Sequence, residues 1–195
     1  IICMPGVPKE LEPMLVDQVI PWLRARFGMQ GVLHYRVLKV CGMGESRVDH
    51  IMGDLINACQ NPTIGLLASP DAVRIRIAAR AATKEEAERL IEPVAREIYA
   101  RLPGDIMGED DATLEGAVDA LLTAKGWRLA VGETQTGGTL AQRLVAISSN
   151  AFAGGRIYPV SEQPLDRLEA WAAEQAHALR TEFNAECALM LASNE

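Results

Sequence analysis

The sequence is poor in aromatic side chains, in long uncharged stretches and in basic residues relative to acidic ones. Aromatic residues make up 5% of the 195 residues, so platforms on which single-stranded bases could stack are scarce. The formal net charge is -7, which repels a long phosphate backbone. Charged residues interrupt every apolar stretch well before the roughly 18 residues that a membrane span needs. We therefore expect no nucleic acid partner and no membrane partner.

The cysteines and histidines also lack the spacing of a metal site. No two cysteines form a Cys-x-x-Cys pair, and the histidines share no short spacing. These residues are Cys3, Cys41, Cys59, Cys187, His34, His50 and His177. Free thiols are typical of a reducing compartment, and the sequence has no basic start followed by an apolar run, the pattern of an exported protein. We expect a cytoplasmic protein with no metal and no cofactor.

Apolar side chains are plentiful enough to build a core, and they fall into two parts. Hydrophobic residues make up 49% of the chain and charged residues 23%, the balance of a folded globular protein. Residues 103–111 contain a proline, two glycines and an acidic run between periodic segments, and they are interpreted as a linker. The chain begins with Ile1 and Ile2 rather than Met, so we expect a piece of a longer polypeptide.

The first part has the pattern of a small α+β domain. Apolar residues recur at helical spacing over residues 11–23, and Pro21 is expected to kink or end that helix. The predicted elements that follow are a strand at 32–40, a helix at 45–59, strands at 63–68 and 73–77, and a helix capped by Thr83. This order is typical of an α+β fold.

The second part alternates helices with strands. The predicted elements are a helix at 114–124, a strand at 127–131, a helix at 139–147, a strand at 156–160, a helix opened by Pro164 and a strand at 187–192. Gly126 is the expected C-cap of the first of these helices. Such alternation predicts a layered α/β sheet.

One turn of the second part contains the residues with candidate chemistry. Residues 132–139 read Gly-Glu-Thr-Gln-Thr-Gly-Gly-Thr and join an apolar strand to an amphipathic helix. In an α/β sheet such a turn lies at the carboxyl edge, where ligands bind. The glycines would let a ligand approach the backbone, and amides at the helix start can hold a phosphate. The same spacing also fits an ordinary capped turn, so the pattern alone does not decide between them.

Several stretches of the sequence resemble the motifs of one known family. Residues 131–138 are similar to the turn Ala-Glu-Ser-Cys-Thr-Gly-Gly, and residues 4–10 to a Pro-Gly-Val-Pro-x-Glu segment. Residues similar to the pattern Gly-Ser-Ser-x-x-Phe-x-Gly-Gly-x-x-x-Tyr are Ser148, Ser149, Phe152, Gly154, Gly155 and Tyr158. These are motifs of the CinA family (competence/damage-inducible protein A), whose members include nicotinamide mononucleotide deamidases. Residues 42–46 and 83–87 resemble the KH-like domain of that family.

The resemblance implies three domains and a hydrolase. It implies a remnant of a molybdopterin-binding-like domain at 1–27, a KH-like α+β domain at 28–108 and an incomplete deamidase-type α/β domain at 109–195. The implied reaction is hydrolysis of the carboxamide of nicotinamide mononucleotide to the acid and ammonia, so the expected partner is a small pyridine nucleotide. The candidate catalytic residues are Thr134, Ser149 and Tyr158. The candidate substrate-binding residues are Glu133, Thr136, Gly137, Gly138 and Ser148.

The chain departs from the family at the positions that carry catalysis. Thr134 and Gln135 stand where the family turn has Ser and Cys. After Tyr158 the family continues Ser-Asn-x-x-Lys, whereas this chain reads Pro-Val-Ser-Glu-Gln, so the lysine is missing. The chain also ends at residues 192–195, about where the family has a Thr-Gly-x-Ala-Gly-Pro loop. Because general-base help commonly contributes about 100-fold to 10,000-fold, we expect weak or lost amidase activity.

Three functions therefore stay open on the sequence. The first is an amidase with Thr134 or Ser149 as nucleophile, the second a non-catalytic nucleotide-binding module, and the third an oligomerisation or scaffold module. RNA-binding KH folds need a basic Gly-x-x-Gly loop between helices, which the middle part lacks. The middle domain is interpreted as a spacer or dimerisation element, and we expect a homo-oligomer.

Overall fold

The described chain falls into two compact units, each with its own sheet. The structure is a computed structural model and describes residues 1–28, 31–69 and 71–193. Contacts within the chain separate Ile1–Ile106 from Met107–Glu195. The last residues of the third domain predicted above, 194–195, lie outside the described residues.

The first unit is a helical segment followed by a four-stranded sheet and its helices. Its elements are α1 (Pro8–Met14), a π-helical turn (Leu15–Val19), α2 (Ile20–Phe27), β1 (Val32–Val40), α3 (Glu45–Ala58), β2 (Thr63–Ala68), β3 (Val73–Ala81) and α4 (Lys84–Arg101). The fourth strand of its sheet is β4 (Ile106–Glu109), which begins at the last residue of the unit. The strand order is β2-β3-β1-β4. β3 runs antiparallel to both of its neighbours, with Ala81 opposite Val32 of β1 and Ala78 opposite Thr63 of β2. The predicted α+β class is confirmed.

Alternation along β3 buries one face of this sheet. Val73, Ile75 and Ile77 are buried, whereas Arg74 and Arg76 between them are exposed. Successive side chains of a strand point to opposite faces, so the buried face is the one that packs against α3 and α4. The largest fully buried side chains of this core are Leu38, Val40, Val48, Met52, Ile75, Ile77, Ile91, Ile98 and Leu102.

Helix α4 begins with two reciprocal hydrogen bonds. The Thr83 hydroxyl oxygen accepts from the Glu86 amide at 3.2 Å, and the Glu86 carboxylate accepts from the Ala82 amide at 3.2 Å. Such a pair satisfies backbone donors at a helix start that have no partner within the helix. The predicted cap of this helix is confirmed.

Two sequence predictions for the first unit are corrected. Residues 106–109, predicted as part of a linker, form strand β4 beside β1. Next to it the Cys41 amide donates to the Asp105 carbonyl at 3.0 Å, so backbone pairing continues into this segment. Of the two outcomes predicted for Pro21, an end of the helix is wrong, because α2 continues from the π-helical turn to Phe27, and a kink stays a prediction.

The second unit is built around a parallel sheet of three strands. Its elements are α5 (Leu114–Lys125), β5 (Leu129–Glu133), α6 (Thr139–Ala146), β6 (Phe152–Ile157), two 3-10 turns (Val160–Glu162 and Leu165–Arg167), α7 (Leu168–Glu182) and β7 (Cys187–Leu191). The strand order is β6-β5-β7, and β5 is parallel to both neighbours. The predicted layered α/β class is confirmed. Gly126 has a φ of 66° and is the C-cap of α5, as predicted.

Both faces of the parallel sheet are covered. On one face Ala130 of β5 packs with Trp171 and Leu179 of α7. On the other face Leu129 and Val131 pack with side chains from α5 and α6. Parallel strands are normally buried on both sides in this way, and their carboxyl ends then form one shared edge.

Element boundaries in this unit differ from the sequence predictions by a few residues. β5 starts and ends two residues later than predicted, at Leu129 and Glu133, so Glu133 belongs to the strand. β6 starts at Phe152 rather than at residue 156, because Gly154 and Gly155 lie in the strand although glycine is a poor strand former. The helix predicted to open at Pro164 begins as a 3-10 turn, and α7 follows it.

Candidate functional site

The candidate site lies at the carboxyl edge of the parallel sheet. Thr134 follows β5, Tyr158 follows β6 and Ser193 lies beyond β7. Backbone bonds hold these ends together, since the Thr134 amide donates to the Leu191 carbonyl at 3.1 Å and the Tyr158 amide to the Glu133 carbonyl at 2.8 Å. The sequence therefore placed its turn correctly, at the edge where α/β sheets bind ligands.

The carboxylate of Glu133 caps helix α6 from inside the protein. Glu133 is 1% exposed, and its two carboxylate oxygens accept from the amides of Leu140 and Ala141, each at 2.9 Å. Burial alone would raise the pKa of Glu133. Hydrogen bonds from the Thr136 hydroxyl and from the amides of Ala141, Leu140 and Gly138 outweigh burial and hold the pKa of this carboxyl below its usual value. Glu133 is therefore an anion at neutral pH.

Two of the three amides predicted to hold a phosphate, those of Gly137 and Gly138, are thus already engaged within the chain. The Gly137 amide donates to the Thr134 carbonyl at 3.0 Å, and the Thr139 amide to the Thr136 carbonyl at 3.1 Å. The next amides along the helix face the Glu133 carboxylate. A phosphate at this helix start would have to displace a buried carboxylate and overcome its repulsion.

The Gln135 carboxamide contacts the hydroxyl of Thr134, and the Gln163 carboxamide is linked to it through Ser193. Thr134 is 3% exposed, and its hydroxyl contacts the Leu191 carbonyl at 3.1 Å and the carboxamide oxygen of Gln135. The side-chain amides of Gln135 and Gln163 both donate to the carbonyl of Ser193, and the Ser193 amide returns a bond to Gln135 at 3.3 Å. We call Gln135, Gln163 and Ser193 the carboxamide clamp. Among the described residues, the acceptors that contact the Thr134 hydroxyl are the carboxamide oxygen of Gln135 and the carbonyl of Leu191, and neither is basic.

Tyr158 is a core residue at this edge. Its ring meets Trp171 edge to face, with centroids 5.5 Å apart, and the Arg156 guanidinium lies 5.9 Å from the ring centroid. Burial raises the pKa of Tyr158, although the neighbouring Arg156 opposes this. The phenol therefore stays protonated at neutral pH and cannot serve as a general base there.

Ser148 and Ser149 lie at the opposite edge of the sheet. They precede β6, and the nearby Ala151 carbonyl accepts from the first amide of β5 at 2.8 Å. The five residues of β5 separate this edge from Thr134 by about 16 Å. Within this chain, the structure brings Thr134 and Tyr158 to one edge but does not bring the two serines to them.

The hydroxyl of Ser149 has a structural role in its loop. It donates to the carboxylate of Asp119 on α5 and accepts from the Phe152 amide at 3.1 Å. The Ser149 hydroxyl and the Ala151 amide hold the pKa of Asp119 below its usual value. A carboxylate stabilised in this way is a weaker base than an ordinary one, which disfavours activation of Ser149 by Asp119. Asp119 left no signal in the sequence, because its partner lies 30 residues away.

The two glutamines of the carboxamide clamp did leave a signal. Gln135 stands where the family turn has Cys, and Gln163 follows Tyr158 at the spacing of the family lysine. One correction applies to that pattern. This chain has two residues, Arg156 and Ile157, between Gly155 and Tyr158, whereas the family pattern has three, so Tyr158 matches only across a gap of one residue.

Metal and membrane signatures were sought in the part of the chain that the structure describes. Residues 1–28, 31–69 and 71–193 contain no group of three or more His, Cys, Asp or Glu side chains that could hold a metal ion. Over the same residues, no helix combines the length and the apolar character that a bilayer crossing requires.

Comparison with known proteins identifies relatives of both units. Residues 35–108 match the family described as "Damage-inducible protein CinA KH domain". The chain is 43% identical over 159 residues to a CinA-like protein of Dictyoglomus thermophilum. This alignment covers 80% of the chain and 38% of the relative. The chain is also 41% identical over 170 residues to a CinA-like protein of Dictyoglomus turgidum, in an alignment that covers 86% of the chain and 41% of the relative.

A third relative is a competence-damage inducible protein of Moorella thermoacetica, 42% identical over 156 residues. That alignment covers 79% of this chain and 37% of the relative. The chain thus spans about two fifths of the length of the curated relatives it matches. The resemblance stated from the sequence is confirmed, and the chain belongs to the CinA-like, competence/damage-inducible protein family.

Proposed function

We propose that the second unit is a CinA-type deamidase domain without amidase activity, and that the chain acts as a structural, self-associating module. The observation that supports this most directly is the carboxamide clamp beside the Thr134 hydroxyl. A hydroxyl nucleophile needs a neighbouring group that takes its proton. The neighbours of Thr134 are the carbonyl of Leu191 and the carboxamide of Gln135, and neither is a base.

The substrate expected from the family resemblance also lacks an anchoring site here. Nicotinamide mononucleotide carries a phosphate, and of the three residues expected to receive it, Gly137 and Gly138 have amides bound to the Thr134 carbonyl and to the Glu133 carboxylate. The alternative of a non-catalytic nucleotide-binding module depends on the same amides. The geometry therefore supports a structural role over both nucleotide functions.

Incubation with nicotinamide mononucleotide is expected to release ammonia at the rate of buffer alone. The reason is that the Thr134 hydroxyl lacks a base, which commonly accounts for about 100-fold to 10,000-fold in rate. Ammonia is measured by a coupled enzymatic assay, with Thr134→Ala as the matched variant. Release above buffer that disappears in Thr134→Ala would show a working amidase and overturn the proposal.

Calorimetric titration with the same nucleotide separates the two non-catalytic functions. The structural role predicts no heat of binding, because the helix-start amides already have a charged partner. A saturable heat at micromolar nucleotide, without turnover, would replace the structural role by nucleotide binding. The titration needs no variant that could fail to fold.

Self-association is favoured by the two outer strands of the parallel sheet. β6 and β7 each pair with β5 alone among the described residues. Unpaired strand edges offer rows of backbone donors and acceptors to another chain. Exposed apolar side chains lie on both outer strands, with Ile157 59% exposed and Leu189 44% exposed.

Light scattering is expected to find a dimer or larger assembly that Leu189→Lys shifts toward monomer. A lysine on an edge strand disfavours pairing by bringing charge to the interface. Leu121→Lys is the matched control, since Leu121 is 65% exposed on helix α5 and lies on no strand. A wild-type chain that stays monomeric at high concentration would contradict self-association.

A further inference from the structure

The helical segment of the first unit leaves a concave space beside the exposed face of its sheet. A cavity of about 430 Å³ lies there. Its lining residues are Ile20, Leu23, Arg24, Gly31, Val32, Leu33 and Arg80. A volume of this size is within the range of small-molecule sites in proteins. The described residues that line this cavity all belong to the first unit.

Helix α2 and strands β1 and β3 supply aliphatic and arginine side chains to the walls of this cavity. Ile20, Leu23 and Arg24 stand at helical spacing i, i+3 and i+4, so α2 presents them on one side. Leu33 of β1 is 66% exposed and lies directly opposite Arg80 of β3 in the strand register. The result is an aliphatic surface with a guanidinium group from the helix and another from the sheet.

Neither guanidinium has an acidic partner in the described chain. Within residues 1–28, 31–69 and 71–193, the ion pairs formed by arginines do not include Arg24 or Arg80. The backbone of Arg80 is nevertheless fixed, because Asn61 accepts from its amide at 2.9 Å and donates to its carbonyl at 3.0 Å. Two available guanidinium groups over one apolar surface are suited to a carboxylate or phosphate.

A second cavity continues the first along the sheet. It measures about 450 Å³ and shares Leu33 and Arg80 with the first cavity. The continuation gives room for a ligand longer than its charged group. Arg80 lines both cavities, so it is positioned to bind a head group where they meet.

We propose that this groove binds a small organic anion with an aliphatic body, its carboxylate or phosphate head held by Arg24 and Arg80. The aliphatic tail lies on Ile20, Leu23 and Leu33. Local arrangement rather than net charge provides the attraction, because residues 1–106 carry thirteen basic and thirteen acidic side chains. That neutrality disfavours a long polyanion such as nucleic acid, whose binding needs many phosphate contacts.

Calorimetric titration of the full chain with decanoate and with decyl phosphate tests the proposal. Both probes are expected to bind, whereas neutral decanol and the cation decyltrimethylammonium bind at least tenfold more weakly. Arg24→Gln and Arg80→Gln are each expected to weaken binding about tenfold to hundredfold, the effect of losing a hydrogen bond to a charged group. The relative strength of the two probes shows whether a carboxylate or a phosphate head is preferred.

Two matched variants control for the loss of one positive charge. Arg26→Gln removes a guanidinium from the same helix, where Arg26 lies over the Phe27 ring at 5.9 Å. Arg76→Gln removes one from the same strand as Arg80, at an exposed position outside both cavities. Both are expected to bind decanoate like the wild type. Equal weakening in all four variants would reduce the effect to general charge and overturn the site.

The double variant Arg24→Glu/Arg80→Glu gives an independent reading of the same geometry. All substituted side chains are exposed, so circular dichroism should show an unchanged fold. The variant is expected to prefer decyltrimethylammonium over decanoate, which inverts the wild-type order. Absence of decanoate binding by the wild type, or equal binding of decanoate and decanol, would overturn the proposal.

Discussion

Replacing Glu133 with alanine is expected to lower the free energy of unfolding of the second unit by about 3 kcal/mol. The substitution leaves the part-buried amides of Leu140 and Ala141 without their acceptor, and an unsatisfied group shielded from water costs about 1 to 3 kcal/mol. Urea unfolding followed by tryptophan fluorescence measures the change, with Trp22 and Trp127 replaced by phenylalanine so that the buried Trp171 gives the signal.

Glu133→Gln is the matched variant, because it keeps the size of the side chain and removes its charge. The pKa of Glu133 is lower in the folded chain than its ordinary value, so its contribution to stability is present above the unfolded pKa of about 4.3. That contribution is lost as the pH falls through the folded pKa. The stability difference between wild type and Glu133→Gln should therefore be full at neutral pH and shrink in acid.

The outcome decides what Glu133 does in the site. A difference that stays constant from neutral to acidic pH would mean that the charge of Glu133 has no role in folding. A fully stable Glu133→Ala variant would show that the amides do not depend on this carboxylate and are open to a ligand. Either result would reopen the nucleotide functions that the structure disfavours.

The elements of the first unit could be predicted because their apolar residues follow the period of their secondary structure. β3 alternates buried Ile75 and Ile77 with exposed arginines, and its burial follows that alternation. β4 could not be predicted, since its Ile106–Glu109 segment contains a glycine and an acid and no alternation. Its pairing depends on the position of β1, which local sequence does not encode.

The position of the candidate site in the sheet could be predicted from the sequence, but the contacts of its side chains could not. The strand-turn-helix pattern put Thr134 at the carboxyl edge, and it was the topology that put Ser149 at the other edge. A motif can show that a glutamate precedes two glycines, but not whether its carboxylate faces a ligand or folds back on the helix. That choice depends on burial, and Glu133 is held inside by the amides of its own helix.

Gly155→Ala is expected to destabilise the second unit by about 3 kcal/mol, at the upper end of the cost of overpacking a core. A methyl group at this position would lie 2.7 Å from Cγ2 of Val131 and 2.8 Å from the Val131 carbonyl oxygen. Gly155 is paired with Val131 across the β5–β6 ladder, so the neighbouring carbonyl cannot move without separating the strands. Urea unfolding with tryptophan fluorescence again measures the change.

Gly116→Ala is the control within the same unit. Gly116 lies in helix α5, and the neighbour that an added methyl group would approach is the Thr113 hydroxyl at 3.3 Å, a side-chain atom rather than backbone. Alanine also favours a helix over glycine by about 0.5 to 1 kcal/mol, so Gly116→Ala should leave stability unchanged or raise it slightly. If Gly155→Ala proved as stable as Gly116→Ala, β5 and β6 could not be packed as closely as the structure has them. Val131 begins the turn motif of the site, so the close approach of β6 at Gly155 helps to hold Glu133 and Thr134 in place.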